Sequence, residues 1–347
     1  MFDLLLESYT LRVVIIGTMI LGAVSGTVGV FSVLRKQALI GDALSHAAFP
    51  GVVLAFMLVG VKDLYILLIG AACASAVSLF LMTVIKRYTP IKQDALLALT
   101  LSSFFGFGQV LLIYVQNSGN ASQAGLKTFI FGQAATMLVR DVYLLLGISI
   151  VVFLIVLLFW KELKLYIFNE PYFISLGFNK YFMDWLLNSL LIVVIMSGIR
   201  VVGVILMSAL LIAPAIGARL LSHRFHTNVI LAAIFGMAGA FVGTLISAQV
   251  SNLATGPTIA VVLSAISLFL LLISPKRGLL KRSFERFRLR KQVQTVQKIE
   301  DALCGKVDKN EKLSLMARGY LIETKGILQL SDRGRRLLRR FDDEEGR

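Results

Sequence analysis

The sequence predicts an all-α polytopic membrane protein with eight or nine transmembrane helices and a small water-soluble tail. Two observations predict it. Of 347 residues, 57% are hydrophobic and only 16% are charged, with a mean hydropathy of +0.81; a soluble domain is nearer half apolar and a quarter charged. The positive charge is also segregated: residues 1–275 hold 15 Lys and Arg against 9 Asp and Glu, and residues 276–347 hold 20 against 11. Two cysteines, Cys73 and Cys304, are too few for a disulfide scaffold or a classical zinc site. Asp3 and Glu7 stand where a secretory signal needs positive charge, so the first apolar run reads as a span.

A spanning helix needs about 20 apolar residues. The stretches 11–34, 38–60, 64–85, 94–115, 138–159, 182–199, 203–221, 228–249 and 257–274 qualify or nearly so. The sixth and seventh are separated only around Arg200, so they read as two shorter helices or one broken element. Basic residues retained on the cytoplasmic side set orientation. Arg35/Lys36, Lys86/Arg87/Lys92, Lys161/Lys164, Arg219/Arg224 and Lys276/Arg277 follow the odd-numbered spans. That parity favours nine spans, with the N-terminus outside and residues 276–347 inside. Residues 117–125 read as an external loop, and 127–137, too short to span, as a half-helix dipping back in. Irregular backbone at that depth is tolerated only when buried in protein or lining a cavity, which points to a permeation path.

Asp42 and His46 are four apart in the second span, so their side chains share a helix face. Ionisable groups in a span are costly and usually face a cavity or each other. A carboxylate and an imidazole together make half of a first-row divalent metal site; a symmetric partner would double the ligand count. The alternative is a ligand-free pair in which each neutralises the other. Few other carboxylates lie within the spans, which speaks against an ion-coupled carrier. No Gly-x-x-x-x-Gly-Lys-Ser/Thr motif occurs in the chain, so ATP use is expected on another polypeptide. No His-Glu-x-x-His motif points to a membrane zinc protease.

Gln37-Ala-Leu-Ile-Gly-Asp-Ala-Leu-Ser-His-Ala-Ala-Phe-Pro-Gly51 resembles the signature of the manganese/zinc/iron permease family of ABC importers. Leu210-Leu-Ile-Ala-Pro-Ala-Ile-Gly-Ala-Arg-Leu-Leu221 is similar to a second block of that family. The resemblance runs from about residue 10 to 275. It implies a type II ABC importer-like fold and a transmembrane permease subunit of the bacterial plasma (inner) membrane. It implies metal passing Asp42 and His46, with manganese first, then zinc or iron. The implied partners are a second permease copy or close paralogue, a cytoplasmic ABC ATPase, and an extracellular or periplasmic metal-binding protein.

Lys164 to Lys180, after span five, resembles the coupling-helix stretch of type II importers through Glu170, Ser175, Leu176 and Gly177. Pro171 suits the first turn of a short helix and Gly177 its end. The alternative is an interfacial helix lying on lipid. Gly17, Gly22, Gly26 and Gly29 are expected to permit close helix packing in span one, and Pro214 to kink span seven. His223 and His226 read as an interfacial loop pair, with metal exit as the alternative. Cys73 reads as a small core residue. Arg200 has Asp63, Asp141 or a partner protein as possible counter-ions.

Three domains follow: a permease body 1–275, a basic juxtamembrane linker 276–292 contacting anionic lipid, and a small domain 293–347. In the last, a helix ending near Gly319, strands flanking residue 325 and a helix from Ser331 resemble part of the winged-helix module of iron/manganese-responsive repressors. DNA is not the expected partner, because the stretch is short and tethered to the membrane; docking to or regulating the ATPase is preferred. Two other classes remain open: an ATP-independent secondary metal carrier, and a membrane-tethered DNA-binding metal sensor.

Overall fold

The computed structural model describes residues 9–60, 63–117, 132, 134–250, 253–274, 287, 293–302, 306, 309–324, 327–333 and 335–336. It divides into two units, Met1–Ser274 and Pro275–Arg347. The helices of the first unit are α1 (Tyr9–Leu34), α2 (Ile40–Val59), α3 (Leu64–Tyr88), α4 (Gln93–Asn117), α5 (Val139–Leu158), α6 (Trp160–Phe168), α7 (Glu170–Ser175), α8 (Lys180–Val202), α9 (Val204–Leu221), α10 (Phe225–Gln249) and α11 (Thr255–Ile273).

Eight of these are long and apolar enough to cross a membrane among the described residues, and the C-terminal part of α9 is a shorter apolar helix. The nine apolar stretches of the sequence therefore each form a helix. The uncertain sixth and seventh are two elements, broken at Gly203 with φ of 93°. That conformation is open to glycine and rarely to other residues. The half-helix reading of 127–137 falls mostly outside the described residues, and its described end, Ala134–Thr136, is a single 3-10 turn. The external loop 117–125 also lies outside them after Asn117. One helix was not expected: Lys161, Glu162 and Lys164 interrupt the hydropathy, yet α6 forms beyond a bend at Phe159.

Close approach of backbones builds the interior. α1 lies along α10 and against α9. A methyl group on Gly22 would strike the Gly236 carbonyl, one on Gly236 would strike Gly22, and one on Gly29 would strike the Leu211 carbonyl. Without a hydrophobic drive between helices in lipid, such contact is a main source of packing energy. α2 packs against α3 and α4 on one side and against α8 and α9 on the other. It is thus the joint between two helix groups, which is what positions the Asp42/His46 pair.

In the second unit, residues 293–302 form helix α12, Lys309–Ala317 helix α13, and Leu321–Thr324 and Ile327–Leu330 strands β1 and β2. The strands pair antiparallel, Leu321 opposite Leu330. Ile299, Leu315 and Leu321 form a small core. Cys304 and, except Phe287, the basic run 276–291 lie outside the described residues.

Candidate metal-transit site and coupling segment

α2 starts at Ile40 behind Leu39, which offers no side-chain cap. Asp42 sits in its first turn, where the helix dipole favours a carboxylate. One turn on, His46 places Nε2 3.5 Å from Asp42 Oδ1. At that separation no short hydrogen bond closes the pair. The two side chains are 26% and 12% exposed in a helix otherwise largely buried at this end. The His46 ring meets Phe105 of α4 edge-on at 4.8 Å, and Phe105 leans on Phe49. His46 Nδ1 is buried with no hydrogen-bond partner. Pro50, inside α2, has no amide hydrogen to give the His46 carbonyl. The pair therefore has unspent donor and acceptor capacity. No group of three or more His, Cys, Asp or Glu side chains able to hold a metal occurs among the described residues. One chain thus sets a single carboxylate and a single imidazole side by side on this face of α2.

The segment after α5 is built around a buried aromatic. Asn169 caps α7 by accepting from the Tyr172 amide at 3.1 Å. Glu170 pairs with Lys180. Ser175 Oγ donates to the Tyr172 carbonyl at 2.8 Å. Gly177 ends the turn at φ of 86°, its amide donating to Ile174 O at 2.9 Å. Phe173 is buried, while Tyr172, Ile174 and Leu176 are exposed. The four residues Glu170, Ser175, Leu176 and Gly177 thus shape a short knob with an apolar outer face.

Arg200 selects Asp141 among its possible partners, Nη1 to Oδ1 at 2.5 Å. Asp63 instead caps α3 by accepting from Tyr65 and Ile66. His223 and His226 are exposed. Cys73 is exposed on α3, contrary to its reading as a core residue; lipid-facing and core positions are equally apolar, so residue type does not separate them. Sequence reasoning also missed Tyr166 and Asp184, which join Arg35 at the end of α1; a carboxylate and a phenol near a span end were the only signal.

The profile of the ABC 3 transport family matches residues 7–274. The chain belongs to the ABC-3 transport family. Together with eight long apolar helices, this makes it a multi-pass membrane protein. This ABC-3 chain is 46% identical over 285 residues to the zinc transport system membrane protein TroC of Treponema pallidum, covering 82% of this chain and 96% of that one. It is 41% identical to the manganese transport system membrane protein MntC of Bacillus subtilis, over 82% of this chain and 65% of that one. Among solved structures, PsaBC from Streptococcus pneumoniae in complex with Fab superposes with a TM-score of 0.71 at 30% identity, over 81% of this chain and 98% of that one.

Proposed function

We propose that the chain is the transmembrane permease subunit of an ATP-driven importer of a divalent transition metal in a bacterial plasma (inner) membrane. The observation that carries this reading is the open Asp42/His46 pair on the joint helix α2, in a chain whose relatives are named for zinc and manganese transport. Manganese is the first candidate, with zinc and iron next. A nitrogen/oxygen donor pair by itself favours zinc over manganese in affinity, so selection has to come from geometry and availability.

In this reading two permease copies, or this chain and a close paralogue, face each other. Two Asp42/His46 pairs then enclose one ion with four side-chain donors. A metal-binding protein delivers the ion from outside, and a cytoplasmic ABC ATPase supplies the energy. The exposed apolar knob of α7 is the ATPase contact, with Glu170, Ser175, Leu176 and Gly177 shaping it. The N-terminus lies outside and residues 276–347 lie in the cytoplasm, where the tail docks on or regulates the ATPase.

The test is competitive uptake of radioactive manganese, zinc and iron by cells expressing the permease with its partners. Wild type should accumulate one metal over the others, and Asp42→Ala and His46→Ala should each abolish that uptake. Wild-type uptake in both variants would show the pair to be structural.

A further inference from the structure

The geometry points to Arg35, Tyr166 and Asp184 as positioning residues that transmit movement of the coupling segment to the metal pair. This rests on the importer reading above.

Three elements converge on one carboxylate oxygen. Asp184 Oδ1, on α8, accepts from Arg35 Nη2 at 2.5 Å and from the Tyr166 hydroxyl, on α6, at 2.7 Å. Arg35 Nη2 also reaches the Tyr166 hydroxyl at 3.2 Å, and the guanidinium lies over the Tyr166 ring 5.0 Å from its centre. Burial first, and then the bond to Asp184, push the Tyr166 phenol above its ordinary range. It therefore remains a proton donor throughout physiological pH.

On one side the junction grips the knob. The Tyr166 ring lies 5.1 Å from the ring of buried Phe173 in α7, and Phe173 stacks on Phe178 at 5.0 Å. A push on the exposed Tyr172, Ile174 and Leu176 face is thus received by Phe173 and passed to Tyr166.

On the other side the junction grips the start of α2. Residues 35–39 alone connect α1 to α2. That connector is closed by backbone hydrogen bonds. Lys36 adopts φ of 59°, its amide donates to Val33 O at 3.2 Å, and the Gln37 amide donates to Ser32 O at 2.9 Å, the pattern of a Schellman close. The Ile40 amide then donates to Gln37 O at 3.0 Å. A connector tied in this way has little slack, so a shift of Arg35 moves the first turn of α2, where Asp42 sits.

A mere anchor for the span end would need only a charge near the bilayer surface. Here a buried phenol on α6, an arginine in the connector from α1 to α2 and a carboxylate on α8 are fitted to one another. Breaking it would release Arg35, and with it the start of α2, from α6 and α8.

The test uses the permease assembled with its ATPase and metal-binding protein in liposomes. ATP hydrolysis and uptake of radioactive manganese and zinc are measured in the same samples. Asp184→Asn keeps the side-chain shape and removes the charge. It should raise ATP hydrolysed per ion moved by about tenfold, a typical size for coupling between sites. Tyr166→Phe keeps the ring and should raise the ratio less. Combining Arg35→Asp with Asp184→Arg should bring it back toward wild type. An unchanged ratio overturns the link, as does a parallel fall of both activities with the amount of assembled complex. If Asp184→Asn does not assemble, Tyr166→Phe decides, since it leaves the ion pair intact. Failure of the importer reading has a different signature: a wild-type complex that moves neither metal.

Discussion

Two acid–base side-chain pairs lie in the helical body at similar exposure, Asp42 with His46 on α2 and Arg200 with Asp141 between α8 and α5. The second is closed. Arg200 meets Asp141 Oδ1 at 2.5 Å, and Asp141 Oδ2 takes the Leu138 amide at 2.9 Å, capping α5. The first is open, at 3.5 Å, with His46 Nδ1 buried and unpartnered. A satisfied pair of this kind holds helices together, whereas unsatisfied buried polar atoms cost free energy unless something binds them. The difference supports the proposal that Asp42/His46 is the functional pair, without any appeal to depth or charge count.

The largest effect that can break this comparison is on transport. Asp42→Ala and His46→Ala should each lower metal uptake by about a hundredfold or more, yet change unfolding free energy by less than about 1 kcal/mol, as substitutions away from a closed network do. Metal accumulation and thermal unfolding of the purified permease measure the two quantities. A large stability loss with uptake retained would reverse the assignment of the two pairs.

Arg200→Ala should do the opposite. It strands a partly buried carboxylate, and the expected cost is about 2 kcal/mol, below the 3–5 of a fully buried pair because Arg200 is partly exposed. Uptake per folded molecule should stay within about twofold of wild type. Adding Asp141→Ala should cost less than the sum of the single changes.

The coupling segment sharpens the comparison at a site away from both pairs. Gly177→Pro forces φ to about −65° where it is now positive and removes the amide that bonds Ile174 O. Association with the ATPase and transport-linked ATP hydrolysis should fall severalfold, while metal binding to Asp42/His46 is unchanged. Co-purification and equilibrium metal binding separate these outcomes. Full ATPase association in the variant would return α7 to the lipid surface.

The smallest effect belongs to the tail. Deleting residues 292–347 should leave the spans inserted, since each has its own hydrophobic signal and Lys276–Lys291 is retained. Uptake normalised to membrane abundance should persist with an altered rate. Complete loss of uptake at normal assembly would place the tail in the transport cycle itself.

The helices were legible because hydropathy and length are local properties, so each apolar stretch forms a helix. The Asp42/His46 spacing was legible for the same reason, since a separation of four fixes a common face. α6 was not, because Lys161, Glu162 and Lys164 break the apolar run at the bend after Leu158. Cys73 was misplaced because α3, only 22% of whose apolar window is buried, is as apolar as α1, with 83% buried.

By itself the sequence determined a helical membrane body, the apolar stretches that build it, and an Asp/His pair four residues apart on one of them. Only the tertiary structure decided which charges find each other. Arg200 could choose among counter-ions until α8 and α5 were brought together. Tyr166 and Asp184 lie 131 and 149 positions from Arg35 along the chain, beyond any local pattern. The reason is physical: helix formation in lipid is fixed by each segment's own backbone and hydrophobicity, whereas ion pairs depend on helix packing set by small-residue contacts such as Gly22 against Gly236.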